Sequence, residues 1–389
     1  MGAPAKILGT CFVAGIVYGA LETGAVRFDE GITFHNPLDE EPSCVDVGSL
    51  SDTDKAGQML IVLVEAGEAQ RLTELADHHI GNFALLGSLR DANVVAGRPS
   101  GDTAFYGATI KAAKSRIEAV TGQPAGVALD EEGGRVQRSR GLDGAVDLPS
   151  AREQGSHVHT EDIQELYYNH SAWLAETLGI TISLAPVIDV GDGLQLGDRT
   201  YGLDAATVER NARAAIEGMK LAGVAPTGKH MPGGLGELDV DMHDESAVTL
   251  DLGVLEQTEI PVARALADEL PFAMISHQRI PGLTNGPASQ SEAAYIYIRD
   301  TIGFQGSIMT DDMAMGGSFT EATPDQQTAA LAAFDAGADM IMMNGVDAAV
   351  VVKEELERRL ATQEPALVER IDASVERSLQ AKGVVTCPV

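Results

Sequence analysis

SIMTDDMAMGGSFTEATPDQQTAALAAFDAGADMIMMN, residues 307–344, carries one repeat of the fold. The apolar run SIMT ends in Asp311-Asp312, a helical segment QQTAALAAFDAGA occupies 326–338, and a second apolar run, ADMIMMN, fills 338–344. A short run apolar at nearly every position suits a strand covered on both faces, as in a parallel sheet. Two parallel neighbours also need a crossover, and the intervening helix supplies it.

The same rhythm extends towards the N-terminus. The runs are GQMLIVLV (57–64), GNFALLG (81–87), AGVALD (125–130), ITISLAPVIDV (180–190), GVAPTG (223–228) and PFAMISH (271–277), with helical segments such as AATVERNARAAIEGMKLAG (205–223) between them. Eight strands alternating with helices fit an α/β fold of the closed (β/α)8, TIM-type barrel. The fifth run is weak as a strand, so a doubly wound open sheet stays open as the alternative.

Polar residues collect where these runs end: Asp130, Asp189, Lys229 with His230, His277, Asp311 with Asp312, and Asn344. One polar strand end is ordinarily a turn or cap residue. Six in register predict a single rim, at the C-terminal mouth of the barrel, lined with carboxylates, histidines and a lysine.

Three stretches carry candidate chemistry. GKHMPGGLGELDVDMHDE (228–245) completes a G-x-x-x-x-G-K pattern with Gly223, but His230 stands where a phosphate loop needs Ser or Thr, and Met-Pro-Gly-Gly cannot open the required helix. Asp239, Asp241, His243 and Asp244 match no metal-ligand spacing, so no metal is expected. Asp241 and His243 share a face if the loop is extended, which suits a carboxylate-oriented acid/base; spacing alone equally allows an acidic surface loop. In AGVALDEEGGRVQR (125–138), Asp130 ends a strand, two glycines turn the chain, and Arg135 and Arg138 can reach back to the rim. A structural ion pair at a turn accounts for that stretch as well. In IMTDDMAMGG (308–317), Asp311 is placed to attack an anomeric carbon, and alternation turns Asp312 away to cap the next segment.

The 389 residues are 44% apolar and 22% charged, ordinary values for a globular chain. Its 58 acidic against 27 basic residues give a net charge of −31, dispersed along the chain, which excludes nucleic acid as a partner and suits a solvated surface in high salt. Lys6 and the apolar run ILGTCFVAGIVYGAL predict a signal peptide or membrane anchor over residues 1–22, with 23–50 as linker and 51–389 as the catalytic barrel. Cys44 and Cys387 lie at opposite ends of what remains, and can pair in an oxidising compartment or stay free thiols.

With these segments in order, the chain resembles glycoside hydrolase family 3, in its single-domain β-N-acetylglucosaminidase branch. LDEEGGRVQR is similar to the family's DQEGGRVQR, APVIDV and GDRTYG (197–202) to its APVxDV and GDRSFG, KH-x-PG with D-x-H to its acid/base loop, and TDDMAMGG to its SDDLSM. The resemblance implies Asp311 as nucleophile, His243 as acid/base with Asp241 as its partner, and Asp130, Arg138, Arg199, Lys229 and His230 as holders of the terminal sugar. It implies retaining removal of terminal β-linked N-acetylglucosamine, as from peptidoglycan fragments, through a covalent glycosyl-Asp intermediate and without cofactor. The expected partner is a small carbohydrate, the expected form a monomer, and the expected place outside the cell or attached to its membrane, with the cytoplasm as alternative. Another family 3 β-glycoside specificity, phosphorolysis, or sugar binding without chemistry are the competing functions. The departures lie in the loop, where Met231, Gly234 and Met242 replace Phe, His and Ser and one residue is added, and after APVIDV, where Gly191 replaces an Asn.

Overall fold

The computed structural model describes residues 44–193, 196–235 and 247–387. The expected signal or anchor segment, most of the expected linker, and Asp241 and His243 lie outside the described residues. Among those described, no helix is long and apolar enough to cross a membrane.

Eight parallel strands form the sheet: β1 Leu60–Glu65, β2 Asn82–Leu86, β3 Gly126–Leu129, β4 Ile182–Ser183, β5 Ala225–Met231, β6 Phe272–Ile275, β7 Ser307–Thr310 and β8 Ile341–Asn344. Their order is β8-β1-β2-β3-β4-β5-β6-β7, and a bridge between Met309 and Met340 brings the two ends together. The eight expected runs are therefore the eight strands of an α/β barrel. Two differ in extent. The fourth run yields only Ile182–Ser183 as regular strand, because Pro186 has no N–H for a ladder; beyond it the chain stays beside β5 through an isolated bridge between Val187 and Lys229. The fifth, weakest in composition, is the longest strand and runs on through Lys229 and His230 to Met231. Packing between β4 and β6 compensates for its poor intrinsic preference.

Strand alternation separates two apolar layers. Ile61, Leu63, Ala84, Ala128, Ile182, Leu184, Phe272, Met274, Met309, Met340 and Met342 form the barrel interior. Their neighbours, among them Leu60, Val62, Phe83, Val127, Ile308 and Ile341, pack outward with the helices. Helix starts are fixed by sequence. Ser51 accepts from the Asp54 N–H at α1 (Asp52–Gln58), and Ser150 with Glu153 makes a capping box at α2 (Ala151–His157). Asp204 and Asp325 cap α3 (Ala205–Leu221) and α4 (Gln326–Ala336). A last helix, α5 (Pro365–Ala381), returns the chain to its start.

There Cys44 and Cys387 form a disulfide, with Val45 bridged to Thr386 beside it. The bond spans 343 residues of sequence, so in the unfolded chain it removes a large loop entropy. Cys387→Ser is expected to cost about 2–5 kcal/mol, read as a Tm lower by several degrees than wild type in the absence of reductant. An unchanged Tm would show that the bond contributes nothing to stability.

Candidate active site

The barrel's C-terminal mouth opens into a cavity of about 480 Å³. Asp130, Arg138, Arg199, Lys229, His230, Asp311, Asp312 and Asn344 reach its wall, together with apolar side chains including Leu63, Met274, Met315 and Met342. The six residues that the family resemblance assigned to the site and that fall among the described ones, Asp130, Arg138, Arg199, Lys229, His230 and Asp311, are thus brought together.

Part of the cavity wall is a charged clamp. Asp130 follows β3, and the chain then folds into a small hairpin of Glu131–Gly133 with Val136–Gln137. Gly133 sits at φ +96, where a Cβ would lie 2.3 Å from the Pro149 carbonyl oxygen, so the tight turn requires glycine. The hairpin carries Arg138 back to Asp130, at 2.9 Å from Oδ2. Lys229, directed inward by the alternation of β5, donates to Asp130 Oδ1 at 2.9 Å and lies 2.5 Å from Glu132 Oε1. Arg199 donates to both Glu132 oxygens, at 2.7 and 2.8 Å. Its loop is held from beneath by Arg152, which donates to the Gly191 carbonyl and the Thr200 hydroxyl, both at 2.6 Å. The carbonyl of Gly191, the residue expected to be Asn, is thus one anchor of the Arg199 loop.

Burial raises the Asp130 carboxyl, but Lys229 and Arg138 outweigh it and hold the group well below its ordinary value. Glu132 is likewise raised by burial and lowered further by Arg199 and Lys229. Burial lowers Lys229, yet Asp130 and Glu132 bring it above the ordinary lysine value. Both carboxylates and the ammonium therefore stay charged across the neutral range, as a folded ionic cluster must.

The same cavity holds Asp311. Its backbone N–H donates to the Ile275 carbonyl, and its Oδ1 accepts from the Asp312 N–H, both at 2.8 Å. Asp311 Oδ2 lies 3.8 Å from His230 Nε2. Asp189, fully buried, fixes that imidazole: its Oδ2 is 2.8 Å from His230 Nδ1 and accepts the His230 backbone N–H at 2.9 Å. The register of β5 shifts between Lys229 and Met231, which lets two consecutive side chains, Lys229 and His230, face one cavity.

Three expectations need correction. Asp312 does cap the next segment, accepting from the Ala314 N–H at 2.9 Å, but it does not turn away from the mouth. Its Oδ2 accepts from Asn344 at 3.1 Å and it lines the cavity, because extended geometry ends at Thr310 and alternation no longer applies. His277 is not on the rim. It is buried, with Nε2 3.0 Å from the Asp312 carbonyl oxygen and Nδ1 2.8 Å from Ser289 Oγ, and burial lowers its pKa. It supports the Asp311–Asp312 turn from behind. Arg135 pairs with Asp198 and donates to the Leu196 carbonyl, so of the two hairpin arginines only Arg138 enters the clamp.

Glu132 is the residue that sequence reasoning missed. It stands two positions after Asp130, a spacing that puts both on one face of an extended chain. The loop departure at Gly234 also has a local reason. Gly234 is at φ +109, a Cβ there would meet Thr249 Cγ2 at 2.8 Å, and its N–H donates to Glu259 Oε2 at 2.8 Å. A histidine does not fit this backbone.

A parallel barrel with charged strand ends converging on one cavity at its C-terminal mouth is the layout of a barrel enzyme acting on a small polar substrate. The chain belongs to glycoside hydrolase family 3, since the model of the glycosyl hydrolase family 3 N-terminal domain matches residues 52–381. It is 33% identical over 346 residues to beta-hexosaminidase LpqI of Mycobacterium tuberculosis, covering 86% of this chain and 83% of that protein. A crystal structure of a family 3 glycosyl hydrolase from Mycobacterium smegmatis superposes with a TM-score of 0.75 at 31% identity, over 88% of this chain and all (100%) of the other. The β-N-acetylhexosaminidase of Beutenbergia cavernae superposes at 0.73 with 27% identity, over 87% and 100% of the two chains. The protein is a glycoside hydrolase.

Proposed function

We propose that the protein is a retaining exo-β-N-acetylglucosaminidase. The observation that carries this reading is the meeting, in one cavity, of the Asp130–Arg138–Lys229 clamp and the Asp311 carboxylate. The clamp and Arg199 hold the hydroxyls of a terminal sugar through charge-assisted hydrogen bonds, while His230 lies against it beside Asp311. An Asp311 oxygen attacks the anomeric carbon and forms a glycosyl ester, as the glycosidic C–O bond breaks and the departing oxygen takes a proton from His243. His243, with Asp241 beside it, then removes a proton from water. That water attacks the same carbon, releases the Asp311 carboxylate, and yields the sugar with its configuration retained. The hexosaminidase names of the relatives support N-acetylglucosamine as the glycone.

The reading includes export, with residues 1–22 as signal or anchor and 23–50 as linker, and action as a monomer without cofactor on small carbohydrates such as peptidoglycan fragments. The disulfide supports an oxidising compartment.

A slowly hydrolysed fluorinated N-acetylglucosaminyl substrate is expected to leave one covalent sugar on Asp311, located by peptide mass mapping. Label on any other residue overturns the site. The acid/base role has its own signature. His243→Ala should slow glycosides with poor leaving groups by about 10²–10⁴-fold and activated aryl glycosides far less at the first step. Equal losses on both would remove His243 from proton transfer.

A further inference from the structure

The proposed chemistry gives Glu132 nothing to do, yet the clamp is built round it. Its side chain is only 2% exposed and is not on the cavity wall, whereas the two cations it binds are. Arg199 comes from the loop after β4 and meets Glu132 through both Nε and Nη2; Lys229 comes from β5 and lies 2.5 Å from Oε1. The mount is rigid. Glu132 lies in the hairpin ahead of the obligatory Gly133, and its carbonyl accepts from the Tyr167 hydroxyl at 2.9 Å, which Tyr201 meets at 3.4 Å.

We propose that Glu132 is a positioning residue for sugar recognition: it locks Arg199 and Lys229 together in the arrangement that the terminal sugar requires. This rests on the reading that those two cations hold the sugar. Arg and Lys side chains are rich in rotamers, and a cation already fixed by a carboxylate loses little freedom when it binds a hydroxyl. Aimed by a group outside the cavity, both cations also keep donors free for the substrate. Charge balance points the same way. Facing Glu132 and its partners are Asp130 and Arg138 from the β3 end and hairpin, Glu131 on the hairpin, Arg199 and Tyr201 from the β4 loop, Tyr167 from its helix, and Asp311 in the same cavity as Arg199. With Gln at 132, Lys229 is buried beside Arg199 and opposed by Asp130 alone, so it loses its proton at lower pH.

The test uses the full-length enzyme and an aryl N-acetyl-β-glucosaminide. Glu132→Gln is expected to raise KM about tenfold with kcat within about threefold, the pattern of lost uniform binding. The alkaline limb of kcat/KM should move to lower pH, which a merely structural glutamate would not cause. In a cycle with Arg199→Ala, the double variant should lose little more than the worse single one. A folded Glu132→Gln enzyme with wild-type KM and alkaline limb overturns the proposal, as does full additivity. If the Gln variant does not fold, Glu132→Asp keeps the charge but is one methylene short of reaching both cations. It should raise KM with the alkaline limb unmoved, and a wild-type KM there also overturns the role. A wild-type enzyme inactive on this glycoside removes the function and this role together, whereas an active wild type with indifferent Glu132 variants removes this role alone.

Discussion

Asp311→Ala is expected to lower kcat for N-acetylglucosaminide hydrolysis by roughly 10⁴-fold or more, the usual cost of removing a covalent nucleophile. Folding should survive. The Asp311 backbone N–H keeps its bond to the Ile275 carbonyl whatever the side chain, and the carboxylate's partner in the turn is the adjacent Asp312 N–H. His277 still supports that turn through the Asp312 carbonyl. The variant should therefore keep a near-native Tm and bind the sugar, because Asp130, Arg138 and Lys229 hold one another through contacts that do not involve Asp311. Kinetics on an aryl glycoside and a melting curve check both halves. A folded variant retaining a tenth of wild-type kcat would mean that another group attacks the anomeric carbon.

Lys229→Met should damage activity and stability together. The ammonium is 3% exposed and bridges Asp130 and Glu132, so its loss leaves two buried carboxylates with less compensation. Arg138 and Arg199 remain on them, which places the expected cost near 3 kcal/mol, the low end for a broken buried ion pair. Lost sugar contacts should reduce kcat/KM by about 10²-fold or more. The pH dependence has a definite sign. Asp130 and Glu132 are lower in the folded protein than their ordinary values of 3.8 and 4.5, so their contribution is complete above those values and fades as pH falls below them. Lys229 is raised above 10.5, so its contribution is complete below that pH and is lost as pH rises through its folded value. Wild type and Lys229→Met should thus differ most in denaturant midpoint between about pH 5 and 10. A constant difference from pH 2 to 8 would show that the lost packing of the lysine stem, not its charge, sets the cost.

The barrel was legible in the chain because parallel strands buried on both faces leave continuous apolar runs, and those runs alternate with helices. Asp130, Arg138, Arg199, Lys229, His230 and Asp311 were legible through family-like motifs and strand-end register, and the fold brings all six to one cavity. The Asp312 orientation was not, since alternation predicts direction only while the chain stays extended, and β7 stops at Thr310. His277 shared the strand-end signal but not the exposure, because the chain from Gln278 to Ser289 packs back over it. The fourth strand was overestimated for a similar reason: apolar composition continues through 184–190, but with proline at 186 only an isolated bridge at Val187 follows Ile182–Ser183.

The period of the fold, the residues at the strand ends and the half-cystines able to pair can all be read along the chain, because each is a property of neighbouring positions or of residue type. That Cys44 meets Cys387, that Asp189 holds His230, and that Glu132 ties Arg199 to Lys229 emerges when the barrel closes. Those pairings join groups 41 to 343 positions apart, or 67 and 97 in the case of Glu132. Their partners are set by barrel closure and register, which no local pattern records. Glu132 shows the difference most plainly: in sequence it is one more acid in a chain of 58, and in the fold it is the buried counter-charge of two cations in the sugar pocket.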